Sequence, residues 1–155
     1  MEKIRQILVI SRMNPYGLKA VQAGVSLARM FDAKLHVLHL VINPVDMTAL
    51  NAPGLFPEEF TNYMYNQQTA KEQLDRAIKK ETSCGFPIHE MISDSDQVDE
   101  VVKVVNEEKI DLIIMFAHEE GRIEHALFGG ENDAIIRTMP CSILLVKNEP
   151  EPVDW

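Results

Sequence analysis

Residues 111–146, DLIIMFAHEEGRIEHALFGGENDAIIRTMPCSILLV, decide the fold. Leu112, Ile113, Ile114, Met115 and Phe116 form an unbroken apolar run, the signature of a strand covered on both faces. A polar segment follows, with His118, Glu119, Glu120 and Arg122. Gly129-Gly130 then opens a short helix that Pro140 stops, and Ile143, Leu144, Leu145 and Val146 read as a final buried strand. Strand, loop, glycine pair and helix N-terminus together make a usual place to hold an anion. The upstream chain builds the platform for this loop.

Upstream, residues 4–10 read as strand one, with Ile7 to Ile10 as its core. Asn14-Pro15 starts a helix: a capping side chain, then a proline where no N–H is needed. Leu18, Val21, Val25 and Ala28 share one face of it. Residues 33–41 are strand two, apolar on both sides, and His36 and His39 within it are read as packing residues. Residues 43–56, with Pro44, Pro53 and Gly54, read as a loop. Pro57 opens a long helix with Glu58 and Glu59 in its first turn, Tyr63, Gln67, Ala70, Leu74 and Ala77 inside, and a stop at Cys84-Gly85. Strand three, residues 87–92, has the mixed composition of an edge. Ser95 or Asp96 caps a helix whose inner face is read as Val98, Val101, Val102 and Val105. Five strands alternating with four helices give an α/β fold with an open, mostly parallel sheet and helices on both faces.

Bulk composition excludes several functions. The chain has 155 residues, one domain's worth, 46% hydrophobic and 25% charged. A net charge of −9 lacks the basic surface that nucleic acid or anionic membranes demand. There is no run of 18 apolar residues to span a bilayer. The N-terminus MEKIRQILVI runs straight into a strand with no cleavage pattern, so no leader is read there. Cys84 and Cys141 are isolated and read as reduced thiols of a cytoplasmic protein. Residues 1–147 form the domain, and 148–155, with two prolines and three acids, an acidic tail ending in Trp155.

This order of pieces resembles the universal stress protein family. The resemblance runs from ILVISRMN at residues 7–14, through IDLIIMFAHEEGR at 110–122, to Pro140, Cys141, Leu144, Leu145 and Val146. It implies a Rossmann-like fold of the adenine nucleotide alpha hydrolase type, with five parallel strands in the order 3-2-1-4-5. It also implies a homodimer joined through the last strand. ATP-binding members of the family carry glycine, two residues, glycine, nine residues, then glycine and serine or threonine. Over this chain the first glycine falls on Phe116 and the second on Glu119. The third survives as Gly129, and Gly130 takes the hydroxyl position. The family's aspartate after strand one is Arg12 here, whereas Val41, where the family's backbone meets adenine, remains compatible.

The implied pocket is therefore vestigial: Ile10, Ser11, Arg12, Val41, Met115, Phe116, Glu119, Gly129, Gly130, Glu131 and Asn132. Phe116 fills space that a glycine leaves open. Glu119 puts a carboxylate where phosphate would go, and like charges about 4 Å apart repel by roughly 1 kcal/mol in water and about 4 kcal/mol at an effective dielectric near 20. No cofactor is expected, and ATP is not expected in the usual pose. Arg12 is expected to pair with Glu119, or failing that with Glu120 or Glu131. His118, Glu119, Glu120, Glu124 and His125 match no standard metal spacing, and no metal site is assigned. No Ser-His-Asp order is visible. The function expected is regulatory or protective interaction in stress response, without catalysis. The competing readings are an ATP-binding, slowly hydrolysing protein and a metal-binding module.

Overall fold

The computed structural model describes residues 3–12, 17–41, 57–94, 96–117, 131–138 and 140–147, with the backbone alone for 57–64, 66–67, 131–133 and 147. In chain order the elements are β1 (Gln6–Ser11), α1 (Gly17–Phe31), β2 (Lys34–Leu40), α2 (Pro57–Ser83), β3 (Ile88–Ser93), α3 (Gln97–Glu108), β4 (Leu112–Ala117), α4 (Glu131–Thr138) and β5 (Ser142–Lys147). The strands form one sheet in the order β3-β2-β1-β4-β5. Every adjacent pair is parallel.

Alternation along the central strands splits the core in two. Ile7, Val9, Leu35, Val37, Ile114 and Phe116 face α1 and α2. Leu8, Ile10, Leu38, Leu40, Ile113 and Met115 face α3 and α4. Both faces of β1, β2 and β4 are therefore covered, which is why their sequences read as continuous apolar runs. The inner face of α1 is Ala20, Val21, Val25 and Ala28, with Leu18 packed alongside. On α2, Ala70, Leu74 and Ile78 are buried; Tyr63 and Gln67, expected on the same face, lie outside the described side chains. Gly85 follows α2 with φ 89°, the left-handed turn for which a glycine suits a helix end.

Two expectations need correction. The buried face of α3 is Gln97, Val101, Val104 and Val105, whereas Val98 and Val102 are half-buried. Valines at 98, 101, 102, 104 and 105 spread over more than one side of a helix, so periodicity did not single out the contact stripe. Asp96, one of the two expected caps, accepts the Asp99 N–H at 3.1 Å. The other correction concerns β5. It is not buried within the single chain: Leu144 is 38% and Leu145 46% exposed. These side chains point to opposite faces of an edge strand.

Two close contacts lock the centre. Asp111 precedes β4, and one of its oxygens, Oδ2, accepts the N–H groups of Arg5 and Gln6, each at 2.8 Å. The Asp111 N–H in turn donates to the Gln6 carbonyl at 2.9 Å. Gly24 lets α1 lie directly on the sheet: a Cβ there would stand 2.4 Å from Val9 Cγ2 and 3.1 Å from Leu35 Cδ1, both in the fully packed core.

Replacing Gly24 by alanine sets a helix-propensity gain of about 1 kcal/mol against an overpacking cost of typically 1–3 kcal/mol. We expect net destabilisation of up to about 2 kcal/mol in urea unfolding. Asp111→Ala is expected to lose about 1–2 kcal/mol, since solvent replaces part of what the carboxylate supplies at these half-exposed amides. Asp111→Asn should lose less, because a single oxygen serves both donors.

Candidate functional site

In an open parallel sheet the crevice forms at the carboxyl ends of the strands, where the strand order reverses. Here the reversal falls between β1 and β4. Their register runs Ile7 with Leu112, Leu8 with Ile113 and Val9 with Ile114, and stops there. β1 continues to Ser11 and β4 to Ala117, so the two strands part over their last residues. That parting is the floor of the crevice.

Side chains fill this floor. Ile10 and Met115 point into the core under α3 and α4. Phe116 packs into the opposite core, 8% exposed, among the side chains that face α1 and α2. Ser11 is fully buried. Arg12, just past β1, is 8% exposed. A guanidinium so far from water must be held by hydrogen bonds and opposite charge, because an isolated buried ion costs several kcal/mol. Val41, just past β2, donates its N–H to the Ser93 carbonyl at 3.0 Å. The residue expected to meet an adenine with its backbone thus has that donor engaged by β3's last residue.

Glu119, Glu120, Gly129 and Gly130 lie outside the described residues, as do the side chains of Glu131 and Asn132, though both belong to the first turn of α4. The expected Arg12 pairing therefore falls on undescribed partners. His118, Glu124 and His125 fall there too. The structure brings Ile10, Ser11, Arg12, Val41, Met115 and Phe116 to the carboxyl end of the sheet.

Cys141 gives no nucleophile: burial pushes its thiol up to about 11, opposing the thiolate. Cys84 is exposed, and both cysteines are free. A groove of about 430 Å³ lies between α1 and α2, floored by Val21, Val25 and Ala77. Its cations are largely matched within the fold: Arg29 pairs with Glu81 and stacks on Phe86 at 5.1 Å, and Arg76 lies 3.8 Å from Glu72.

Sequence reasoning missed a polar constellation on β2. His39 is 2% exposed, with Nε2 3.1 Å from Glu90 Oε1. His36 is 5% exposed, with Nε2 2.8 Å from Gln6 Oε1. Burial holds the His36 imidazole below its ordinary value of 6.5, against an opposing pull from Glu108, so the ring is neutral at pH 7. The missing signal was register: His36 and His89 are cross-strand partners, and their spacing in sequence does not reveal it.

The universal stress protein family model matches residues 3–147. The universal stress protein MJ0531 of Methanocaldococcus jannaschii is 24% identical over 144 residues, which cover 92% of this chain and 82% of that protein. The universal stress protein UspA of Lactobacillus plantarum shares the fold with a TM-score of 0.65 at 18% identity, over 94% of this chain and 99% of its own. A universal stress protein from Archaeoglobus fulgidus, solved in complex with dAMP, does so with a TM-score of 0.56 at 14% identity, over 95% of this chain and all of that one, 100%. The match of the family model across nearly the whole domain, together with the sheet order and the switch-point crevice, means that this chain belongs to the universal stress protein family.

Proposed function

We propose that this chain is a non-catalytic, cytoplasmic universal stress protein that acts as a homodimer in stress response, with its nucleotide crevice closed by its own side chains. The observation that carries the reading is the pair of bulky residues at the strand ends, Arg12 and Phe116, both 8% exposed, at positions where the family resemblance implies an aspartate and a glycine in ATP-binding members. The engaged Val41 N–H supports it, since it removes a donor from the adenine side. The sequence supports it again through Glu119 and through Gly130, which offers no hydroxyl. In this reading Arg12 pairs with Glu119, Glu120 or Glu131, an ion pair taking the place of a ligand's phosphates. In this reading the domain spans residues 1–147 and is followed by an acidic tail over 148–155.

Nucleotide binding is the second reading. The dAMP complex of the Archaeoglobus fulgidus relative favours it, because the same fold accepts an adenine nucleotide there. Calorimetric titration with ATP, with and without magnesium, separates the two. Binding weaker than about 10 μM, equivalent to roughly −6.8 kcal/mol, is expected. Tighter binding would refute closure. The triple change Phe116→Gly, Glu119→Gly and Gly130→Ser should restore affinity by removing the ring and the carboxylate and adding the hydroxyl.

The dimer is proposed to form through β5. The exposed Leu144 and Leu145 lie on β5, the last strand of the sheet, and an apolar edge strand left uncovered invites irregular association. Light scattering should give a dimer mass for the unmodified chain, and Leu144→Lys should shift it towards monomer. A monomeric unmodified chain would remove this part of the proposal.

A further inference from the structure

On the face of the sheet opposite the Phe116 core, a second polar feature lies away from the crevice. His36 on β2 and His89 on β3 are register partners in adjacent parallel strands. Their ring centres are 5.4 Å apart, with the planes at 73°. His89 is exposed, and His36 lies 5% exposed behind it. The Gln6 side-chain carbonyl accepts from His36 Nε2 at 2.8 Å. That bond assigns the ring proton to Nε2 and leaves the lone pair on Nδ1. The Nδ1 atom is buried and has no hydrogen-bond partner among the described residues.

We propose that His36 and His89 form a two-histidine site for a borderline divalent transition-metal ion, such as Zn²⁺ or Cu²⁺, with Gln6 as its positioning residue. The geometry is that of a metal ligand with its outer partner in place. A ligating histidine characteristically donates its other ring N–H to a carbonyl or carboxylate, which fixes tautomer and orientation. Two imidazoles sharing an ion at about 2.0–2.1 Å set their ring centres roughly 5 Å apart. The observed spacing is close to that, and His89 is the exposed member of the pair, so sharing an ion calls on a reorientation of its ring. Imidazole nitrogens select Zn²⁺, Cu²⁺ and Ni²⁺ over Mg²⁺ and Ca²⁺, which prefer oxygen. Glu108, at the end of α3, supplies a favourable field, opposed in part by Lys34. Among the described residues no third protein ligand joins the pair, so water completes the coordination and the affinity is modest.

The test uses the full, untagged chain, stripped of metal with chelator and titrated with ZnCl₂ by calorimetry near neutral pH, with MgCl₂ as control. One zinc equivalent is expected to bind in the micromolar range, and Mg²⁺ to give no heat. His89→Ala, at an exposed position, should weaken binding by at least about tenfold, and Gln6→Leu by about 10–100-fold, as for loss of an outer-shell partner. The double change His118→Ala/His125→Ala should leave binding intact, because those residues belong to the loop after β4. Imidazole nitrogen spectra should show His36 protonated at Nε2 without metal and its Nδ1 resonance displaced by zinc. No zinc binding, binding indifferent to His89→Ala, or binding abolished by the loop variant would each overturn the proposal.

Discussion

The structure depends on burying β1 and β4 side by side with both faces covered. Once Ile7, Leu8, Val9, Ile113 and Ile114 are fully out of water, every backbone N–H and C=O between them must find a partner in the ladder. A parallel pair cannot be joined by a tight turn, so each connection has to cross over through a helix. The four helices of the described residues, and their division between two faces, follow from that requirement. Gly24 shows how close the covering has to be: α1 approaches Val9 until there is no room for a single methyl. Asp111 shows how the ladder is started, by drawing the Arg5 and Gln6 amides at the entry to β1 to the chain that enters β4.

The same constraint makes the crevice. Strands pressed together at Val9 and Ile114 and parting beyond them leave backbone ends with space between them. This chain places Phe116 and Arg12, both nearly buried, at those ends. Phe116 goes to the α1 face by the simple alternation of β4, because Met115 takes the other face. Arg12 is different, since burying a guanidinium has no hydrophobic reward. Its charge constrains what surrounds it: an environment that holds a buried cation in place is committed to that cation, and a polyphosphate entering there would have to compete for it.

How much of this the sequence discloses depends on whether the information is periodic or relational. The apolar runs at Ile7–Ile10 and Leu112–Phe116 announce central strands because two-sided burial leaves a mark in composition. The edge character of β3 was legible for the converse reason: His89 and Glu90 interrupt the run. β5 misled because an apolar strand looks alike whether its own chain covers it or leaves Leu144 and Leu145 showing. The α3 stripe was misplaced because an excess of valine blurs a helical period. For the crevice, Arg12, Phe116 and Glu119 could be named by aligning a motif, but the use of the Val41 N–H by Ser93 could not. That bond links residues 52 positions apart through the register of β2 against β3.

Register also explains why two histidines three residues apart on one strand lead separate lives. His36 points to the α3 and α4 side with Leu38 and Leu40, while His39 shares the other side with Leu35 and Val37. Each meets an acceptor at Nε2, Gln6 from β1 in one case and Glu90 from β3 in the other. Each keeps a buried Nδ1 that no described residue bonds. The acceptors are not equivalent. Glu90 offers a carboxylate, whereas Gln6 offers a neutral amide carbonyl, and burial is the largest influence on the His36 imidazole. A neutral imidazole, with its proton assigned by a fixed acceptor and a second, exposed imidazole as its cross-strand neighbour, can act as a ligand. An imidazole bonded to a carboxylate across the sheet serves chiefly to tie two strands together. The same residue type on the same strand thus divides between packing and chemistry according to which neighbour the register supplies.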